Sequence, residues 1–278
     1  MTFDLVVATL GRSSELARLL DSLERQTHRG FRVIVVDQND DDRVQAILDF
    51  RAGLEILRLR SAPGLSRARN VALEHVDSDI VAFPDDDCFY PDDLLEQVAD
   101  RLGDLDGVGG KAVDPHGRPG GRWRSEAFRV TRDTVWYSGN SHTIFLRRAL
   151  VEQVGRFDEA LGLGAGTPWH SGEEIDYIAR AVAVGARIEY DPQLVIYHPV
   201  KPLSDDGLRA LGRRDGASVG YILAKNAYPP KALARMLVRP LGGAGLELLR
   251  RDTAQARFQL ATLHGRILGY RGGRRARS

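Results

Sequence analysis

The sequence predicts an α/β fold with a mixed, mostly parallel central sheet flanked by helices and followed by a helical extension. Three observations predict it. Short apolar runs alternate with helix-period segments through the first hundred residues, as in a parallel sheet with crossover helices. The residues just past each apolar run are unusually polar, which fits an open sheet that binds ligands at the carboxyl ends of its strands. From Ser204 onward the strand pattern is replaced by helical periodicity.

Phe3–Ala8 reads as the first strand, and Leu16, Leu19, Leu20 and Leu23 then fall on one face of a helix capped by Ser13 or Ser14. Arg32–Asp37, Leu54–Leu59 and Asp79–Phe83 read as strands two to four, and Leu105–Val113 as another. A Gly-, Pro- and Arg-rich stretch through about Arg124 predicts a mobile loop, after which His142–Arg147 resumes as a strand. A helix is expected from Glu173 to about Val184, with Ile175, Ile178, Ala179 and Val182 on its buried face. Leu194–Tyr197 is a short strand ending at His198. Three helices follow, broken at Tyr228-Pro229-Pro230 and around Arg251-Asp252, and the chain closes on the Arg-rich Arg271–Ser278. No internal repeat is visible.

At 278 residues, 43% hydrophobic and 28% charged, the chain suits one large domain plus an appendage. Its formal net charge of +1 conceals an asymmetry, since residues 201–278 hold 16 Lys/Arg against 5 Asp/Glu and residues 1–200 hold 23 against 33. The expected organisation is a domain over 1–200 and a basic helical extension over 201–278, with the boundary near Lys201. The lone Cys88 excludes an internal disulfide and a multi-cysteine zinc site. The chain shows no signal-peptide pattern or membrane-length apolar run, so the expected location is cytoplasmic.

Asp85-Asp86-Asp87 directly follows an apolar strand, and adjacent like charges repel unless a cation bridges them. In extended backbone, residues two apart point the same way, so Asp85 and Asp87 converge on one side and Asp86 faces elsewhere. The alternative is a solvated acidic turn capping a helix opened by Pro91-Asp92-Asp93. Ser171-Gly172-Glu173-Glu174 carries the capping-box pattern, in which Glu174 would bond the Ser171 amide.

Seven segments in order resemble the family 2 glycosyltransferases of the GT-A fold over roughly residues 3–200. They are V-V-A-T-L-G-R from Val6, V-V-D-Q from Val35, G-L-S-R-A-R-N from Gly64, D-D-D from Asp85, G-R-F-D-E from Gly155, G-E-E-I-D from Gly172 and Y-H-P from Tyr197. The resemblance implies a metal site of Asp85, Asp87 and His198 holding Mn2+ or Mg2+ and the donor diphosphate, with Asp86 in reserve should the loop alignment slip. It implies a nucleotide-sugar pocket of Thr9, Arg12, Asp37, Gln38 and Arg67, joined by Asp85 and Asp86. Glu174 matches the general base of an inverting transfer, with Glu173 and Asp176 as fallback acids. The chain departs from the pattern at Gln38, where many relatives carry Asp; at Ala8, where Pro is common; and at Glu174, one methylene longer than the usual Asp. For Arg69 a surface charge on a helix N-terminal turn weighs as much as a role in the site; for Arg67 it weighs less.

Trp169 and His170 sit in a glycine-rich loop just before Glu173 and are the acceptor-side candidates. The expected partners are a nucleotide diphosphate sugar, a glycan or lipid-linked acceptor, and an anionic membrane surface met by the basic helices at the inner face. No nucleic acid is expected. The role implied is cell-surface or extracellular glycan synthesis. The rival reading is a non-catalytic sugar-nucleotide or glycan binding protein. A dehydrogenase is disfavoured because A-T-L-G-R replaces the glycine fingerprint after strand one, and an aspartyl-phosphate phosphatase because Phe89 stands where D-x-D-x-T needs Thr.

Overall fold

The computed structural model describes residues 1–121, 123–199 and 203–275. The boundary expected at Lys201 and the last three residues of the Arg-rich end lie outside them. The chain forms two compact units, Met1–Phe157 with Tyr177–Val200, and Asp158–Asp176 with Lys201–Ser278.

The first unit is the sheet. In chain order it contains β1 (Phe3–Thr9), α1 (Ser13–Glu24), β2 (Phe31–Asp37), α2 (Arg43–Leu48), β3 (Ile56–Arg60), α3 (Leu65–Leu73), β4 (Ile80–Ala82), α4 (Leu94–Leu102), β5 (Gly107–Val113), β6 (Phe128–Arg129), β7 (Ile144–Arg147), α5 (Arg148–Val154), the larger part of α6 (Glu173–Ala183) and β8 (Ile188–Tyr197). The eight strands run in the order β3-β2-β1-β4-β7-β5-β8-β6. β3, β2, β1 and β4 are parallel, β7 is antiparallel to both β4 and β5, β5 and β8 are parallel, and β6 closes the edge antiparallel to β8.

Residues 5–8 of β1 and 33–36 of β2 are unbroken apolar runs because helices cover both faces of a parallel sheet. Leu16, Leu19, Leu20 and Leu23 of α1 meet Leu94, Leu95, Val98 and Leu102 of α4 in one buried cluster with Val7, Val35 and Phe145. Burying each such leucine contributes roughly 1.5–3 kcal/mol, so this layer fixes where the strand ends lie. The expected serine cap of α1 is not made. Arg12 occupies the N-cap without a side-chain cap bond, and Ser14 Oγ donates to Glu15 at 2.9 Å.

Two further expectations shift. His142 lies in a 3-10 turn over Ser141–Thr143 rather than in a strand, because Thr143 Oγ1 accepts the Asn140 amide at 3.1 Å and closes the turn just before β7. The buried face of α6 turns out to be Tyr177, Ile178, Ala179 and Ala181, with Ile175 and Val182 only half-buried. Tyr177 stacks on Phe157 at 4.1 Å and donates to Val151 O.

The second unit contains the loop 158–172, the first turn of α6, and the helices α7 (Asp205–Lys225), α8 (Pro230–Leu249) and α9 (Thr253–Arg275). α7 and α9 approach through two glycine rows spaced by four, Gly212, Gly216 and Gly220 on one helix and Gly265, Gly269 and Gly273 on the other. A Cβ on Gly212 would stand 2.7 Å from Phe258 O, and one on Gly273 would stand 2.8 Å from Tyr221 O. Glycine at these positions lets backbone meet backbone. Among the described residues, no helix is long and apolar enough to cross a membrane.

Candidate active site

Strand register assembles the site in the first unit. β4 pairs with β7 as Ile80↔Arg147, Val81↔Leu146 and Ala82↔Phe145, and continuing that register brings Asp85 opposite His142. His198 follows β8, its amide donating to Val113 O at 2.8 Å. Phe89 and Tyr197 exchange backbone hydrogen bonds of 2.9 and 3.1 Å. The turn Asp85–Cys88 is thereby delivered to His198.

The contacts are charge-assisted throughout. His142 Nδ1 lies 2.8 Å from Asp85 Oδ2, Ser141 Oγ donates to Asp85 Oδ1 at 3.2 Å, and Arg69 Nη2 lies 3.4 Å from the same oxygen. His198 Nε2 stands 3.1 Å from Asp87 Oδ1 and 4.0 Å from Asp85 Oδ2. The two imidazoles stack with centroids 4.6 Å apart. Arg12 Nη1 bridges Asp86 Oδ1 at 2.8 Å and Asp87 Oδ2 at 2.7 Å, and Thr9 Oγ1 donates to Asp86 Oδ2 at 2.8 Å.

Burial works against charge on each of these acids, and their partners decide the outcome. For Asp85, burial raises the pKa, but His142, Arg69 and His198 outweigh it and hold the carboxyl well below its ordinary value. For Asp87, burial is likewise outweighed, by His198 and Arg12, and the pKa is lowered. For Asp86, burial prevails over Thr9 and Arg12 and the pKa rises to about 6. Burial lowers the His198 pKa, yet Asp87 and Asp85 raise it further, so its net shift is upward.

Asp85, His142 and His198 each offer one ligand atom within 4.8 Å of the others. A cation with ligands at roughly 2.0–2.2 Å places adjacent donors about 3–3.5 Å apart, which this set brackets. Buried His142 Nε2 has no hydrogen-bond partner among the described residues. A carboxylate with two imidazoles is a chemically suitable donor set for a divalent ion.

The structure brings Thr9, Arg12, Asp85, Asp86, Asp87 and His198 to one place. Asp37, at the end of β2, is fully buried and accepts from Asn39 N at 2.9 Å and from Arg58 Nη2 at 2.6 Å. Its burial is outweighed by Asn39 and Arg58, so its pKa falls. Gln38 accepts the Gly64 amide at 2.7 Å. Arg67 is exposed and reaches Pro63 O, whereas Arg69 is buried against Asp85 and lies over Phe83 and Phe157. The surface reading weighed for Arg69 is thus corrected: α3 faces outward at Arg67 in its first turn and inward at Arg69 just beyond it.

Sequence reasoning missed His142 and Ser141. Their only signal is a polar run before the buried Ile144-Phe145-Leu146, visible as meaningful only once β7 is known to pair with β4.

In the second unit, Glu173 is buried and Glu174 half-buried on the first turn of α6. Ser171 turns its amide to Ser218 Oγ at 3.2 Å and its hydroxyl to Asp215 at 3.0 Å, both on α7. Asp176 is fully buried and is held by Lys225 Nζ at 2.8 Å and Asn226 Nδ2 at 2.8 Å. Lys225 also reaches Asp158 at 2.7 Å. Trp169 stacks on Tyr221 with centroids 5.1 Å apart, and His170 lies beside it in the lining of a groove.

A parallel β3-β2-β1-β4 half with acidic side chains at its strand ends, joined to an antiparallel β7 and a second parallel pair, defines the GT-A transferase fold. Solved structures of that fold superpose over nearly the whole chain. S. aureus TarS 1-349, described in complex with UDP-GlcNAc, aligns with TM-score 0.62 and 19% identity over 94% of this chain and 91% of that one. The mannosyltransferase PcManGT from Pyrobaculum calidifontis, described in complex with GDP-Man and Mn2+, aligns with TM-score 0.65 and 18% identity over 95% and 86%. The Glycosyl transferase family 2 pattern matches residues 4–157, more than half of the chain, and the chain belongs to that family. A pre-mycofactocin glycosyltransferase of Mycobacterium tuberculosis is 30% identical over 223 residues. That match takes in 69% of this chain but only 42% of the relative.

Proposed function

We propose that the chain is an inverting, metal-dependent glycosyltransferase that moves a sugar from a nucleotide diphosphate donor to an acceptor hydroxyl. The observation that carries this reading is the convergence of Asp85, His142 and His198, with Asp87 against His198, at the carboxyl ends of β4 and β8. The ligands named for the two structural neighbours, UDP-GlcNAc in one and GDP-Man with Mn2+ in the other, support a nucleotide sugar and a divalent ion.

In this reading Asp85, His142 and His198 hold Mn2+ or Mg2+, and Asp87 braces His198. The ion, when bound, supplies positive charge against the charge developing on the leaving diphosphate. Arg12 clamps Asp86 and Asp87, which fixes the turn on which the donor rests. Thr9, Asp37, Gln38 and Arg67 line the nucleoside side. Glu174 takes the proton of the acceptor hydroxyl as its oxygen attacks the anomeric carbon, and the bond to the diphosphate breaks on the opposite face. Asp176, enclosed by Lys225 and Asn226, holds the turn that carries Glu174 and is not the base.

Residues 1–200 form the catalytic domain in this reading, and 201–278 the basic extension that meets a glycan or lipid-linked acceptor at the inner face of the membrane, in cell-surface glycan synthesis. The test is turnover of a panel of nucleotide sugars with and without Mn2+, in the native chain and in Glu174→Gln. Metal-dependent turnover lost in Glu174→Gln, with donor-induced thermal stabilisation retained, is expected. Donor binding without any metal-dependent turnover would favour a non-catalytic binding protein, and near-normal turnover in Glu174→Gln would remove the base from Glu174.

A further inference from the structure

The second unit holds a groove of about 1790 Å3 along one side of the α7 and α9 pair, lined from residues 168–170 and 203–275. It exceeds the roughly 300–1,000 Å3 of common small-ligand pockets. Two chemistries alternate along it. Arg209 and Arg213 stand one turn apart on α7, and Arg257 and Arg271 lie on the same face of α9 as Leu260 and Leu268. All four arginines are exposed, and their guanidinium groups make no hydrogen bond or ion pair among the described residues. Asp206 is the one carboxylate in the lining among the described residues. Leu260 and Leu268 are 48% and 38% exposed.

The glycine rows explain why these groups gather. Close approach of α7 and α9 leaves no room for side chains between them, so long side chains splay to the flanks of the seam. Trp169 forms one wall, fixed by its stack on Tyr221 and by Gly272, where a Cβ would come within 2.6 Å of the indole. An excess of unneutralised guanidinium groups selects an anion, and guanidinium geometry suits phosphate oxygens. Interleaved leucines and an indole face select hydrocarbon attached to that anion.

We propose that this groove binds a lipid phosphate one molecule at a time, the phosphate on the arginines and the first part of the chain along Leu260, Leu268 and Trp169. This requires no catalytic step and stands independently of the glycosyl-transfer reading. If both hold, the groove is where a lipid-borne acceptor is gripped by its phosphate.

The test is calorimetric titration of the full chain with farnesyl phosphate below its micellar concentration, with farnesol and with inorganic phosphate. One site per chain is expected for farnesyl phosphate. Farnesol and inorganic phosphate should each bind at least about 10-fold more weakly, because each offers only half the recognised chemistry. The double substitution Arg213→Gln with Arg257→Gln should weaken farnesyl phosphate at least about 10-fold while leaving the melting temperature unchanged, both positions being exposed. Equal affinity for inorganic phosphate would mean a free-anion site and overturn the proposal. So would unchanged affinity in the double variant, or binding only to phosphatidylglycerol vesicles in proportion to their charge, the behaviour of a membrane surface. Donor-induced stabilisation by nucleotide sugars in the same double variant reports on the catalytic reading separately, so failure of one does not imply failure of the other.

Discussion

Lys225→Met preserves most of the side chain's length and apolar volume while deleting its charge. The ammonium group serves two acids, Asp158 Oδ2 at 2.7 Å and Asp176 Oδ2 at 2.8 Å, whose side chains are 19% and 0% exposed. Removing one partner of a buried ion cluster costs about 3–5 kcal/mol, because the remaining charge is stranded away from water. Here Asn226 Nδ2 still donates to Asp176 and Tyr221 Oη to Asp158, which places the loss near the lower end, about 3 kcal/mol at neutral pH. For a chain of this size that is a fall in Tm of roughly 6–12 °C. The loss depends on pH. Burial raises the Asp158 pKa, but Lys225 and the Ala160 amide outweigh it and lower it below 3.8. The native cluster therefore stabilises the fold above that value and ceases to do so as pH falls through the lowered one. In the variant Asp158 loses the cation that lowers its pKa while its burial remains, so it protonates more readily and the gap between native and variant chains is widest near pH 7.5 and narrows toward pH 4.5. Thermal melts at both pH values measure it. A Tm shift under about 2 °C at pH 7.5, or one of equal size at both pH values, would refute the reasoning. Asp176 shares a helical turn with Glu174, so kcat should fall in the variant more than the KM for donor rises.

Asp4 is fully buried and accepts from Arg32 Nε and from the amides of Asp77 and Ser78, which together outweigh the burial that raises its pKa and leave it lowered. Its contribution is present above pH 3.8 and lost as pH falls through its folded value, so Asp4→Asn should cost about 3–5 kcal/mol at pH 7 and flatten the acid limb of the stability curve, as read by urea titration. The glycine rows predict opposite signs for one kind of change. Gly269→Ala places a Cβ onto the Ala217 carbonyl oxygen and should destabilise by about 1–3 kcal/mol, whereas Gly242→Ala in α8 meets nothing within 4 Å and should stabilise by up to about 1 kcal/mol through helix propensity.

Much of the fold was legible because its physics is local. β1, β2 and the leucine face of α1 announce themselves as apolar runs and a helical stripe, and the three C-terminal helices are punctuated by Pro229-Pro230 and Arg251-Asp252. β8 was read only from Leu194, since Pro192 and the outward Glu189 and Gln193 disguise a period-two strand that begins at Ile188. The acidic turn stands out through charge repulsion, but the triplet by itself fits a solvated helix-capping turn equally well, and only the order of the other motifs favours a site there. His142 was not, because its relation to Asp85 is a property of strand pairing across 57 residues. Arg69 and Arg67 exchange the weights given them because two residues along a helix are about 200° apart, which sequence cannot orient without the neighbouring strand. The glycine spacing on α7 and α9 is visible in the sequence, but one row does not name its partner. Lys225 and its two acids, 67 and 49 residues away, meet only through tertiary folding.

Crystals grown with Mn2+ and a nucleoside diphosphate, measured for anomalous scattering at the manganese edge, interrogate the proposed centre without relying on turnover. A peak about 2.1 Å from an Asp85 carboxylate oxygen and from His198, within reach of His142 and absent in Asp85→Asn, is the expected result. Bound nucleotide with no manganese between Asp85 and His198, or manganese held elsewhere in the chain, would contradict it.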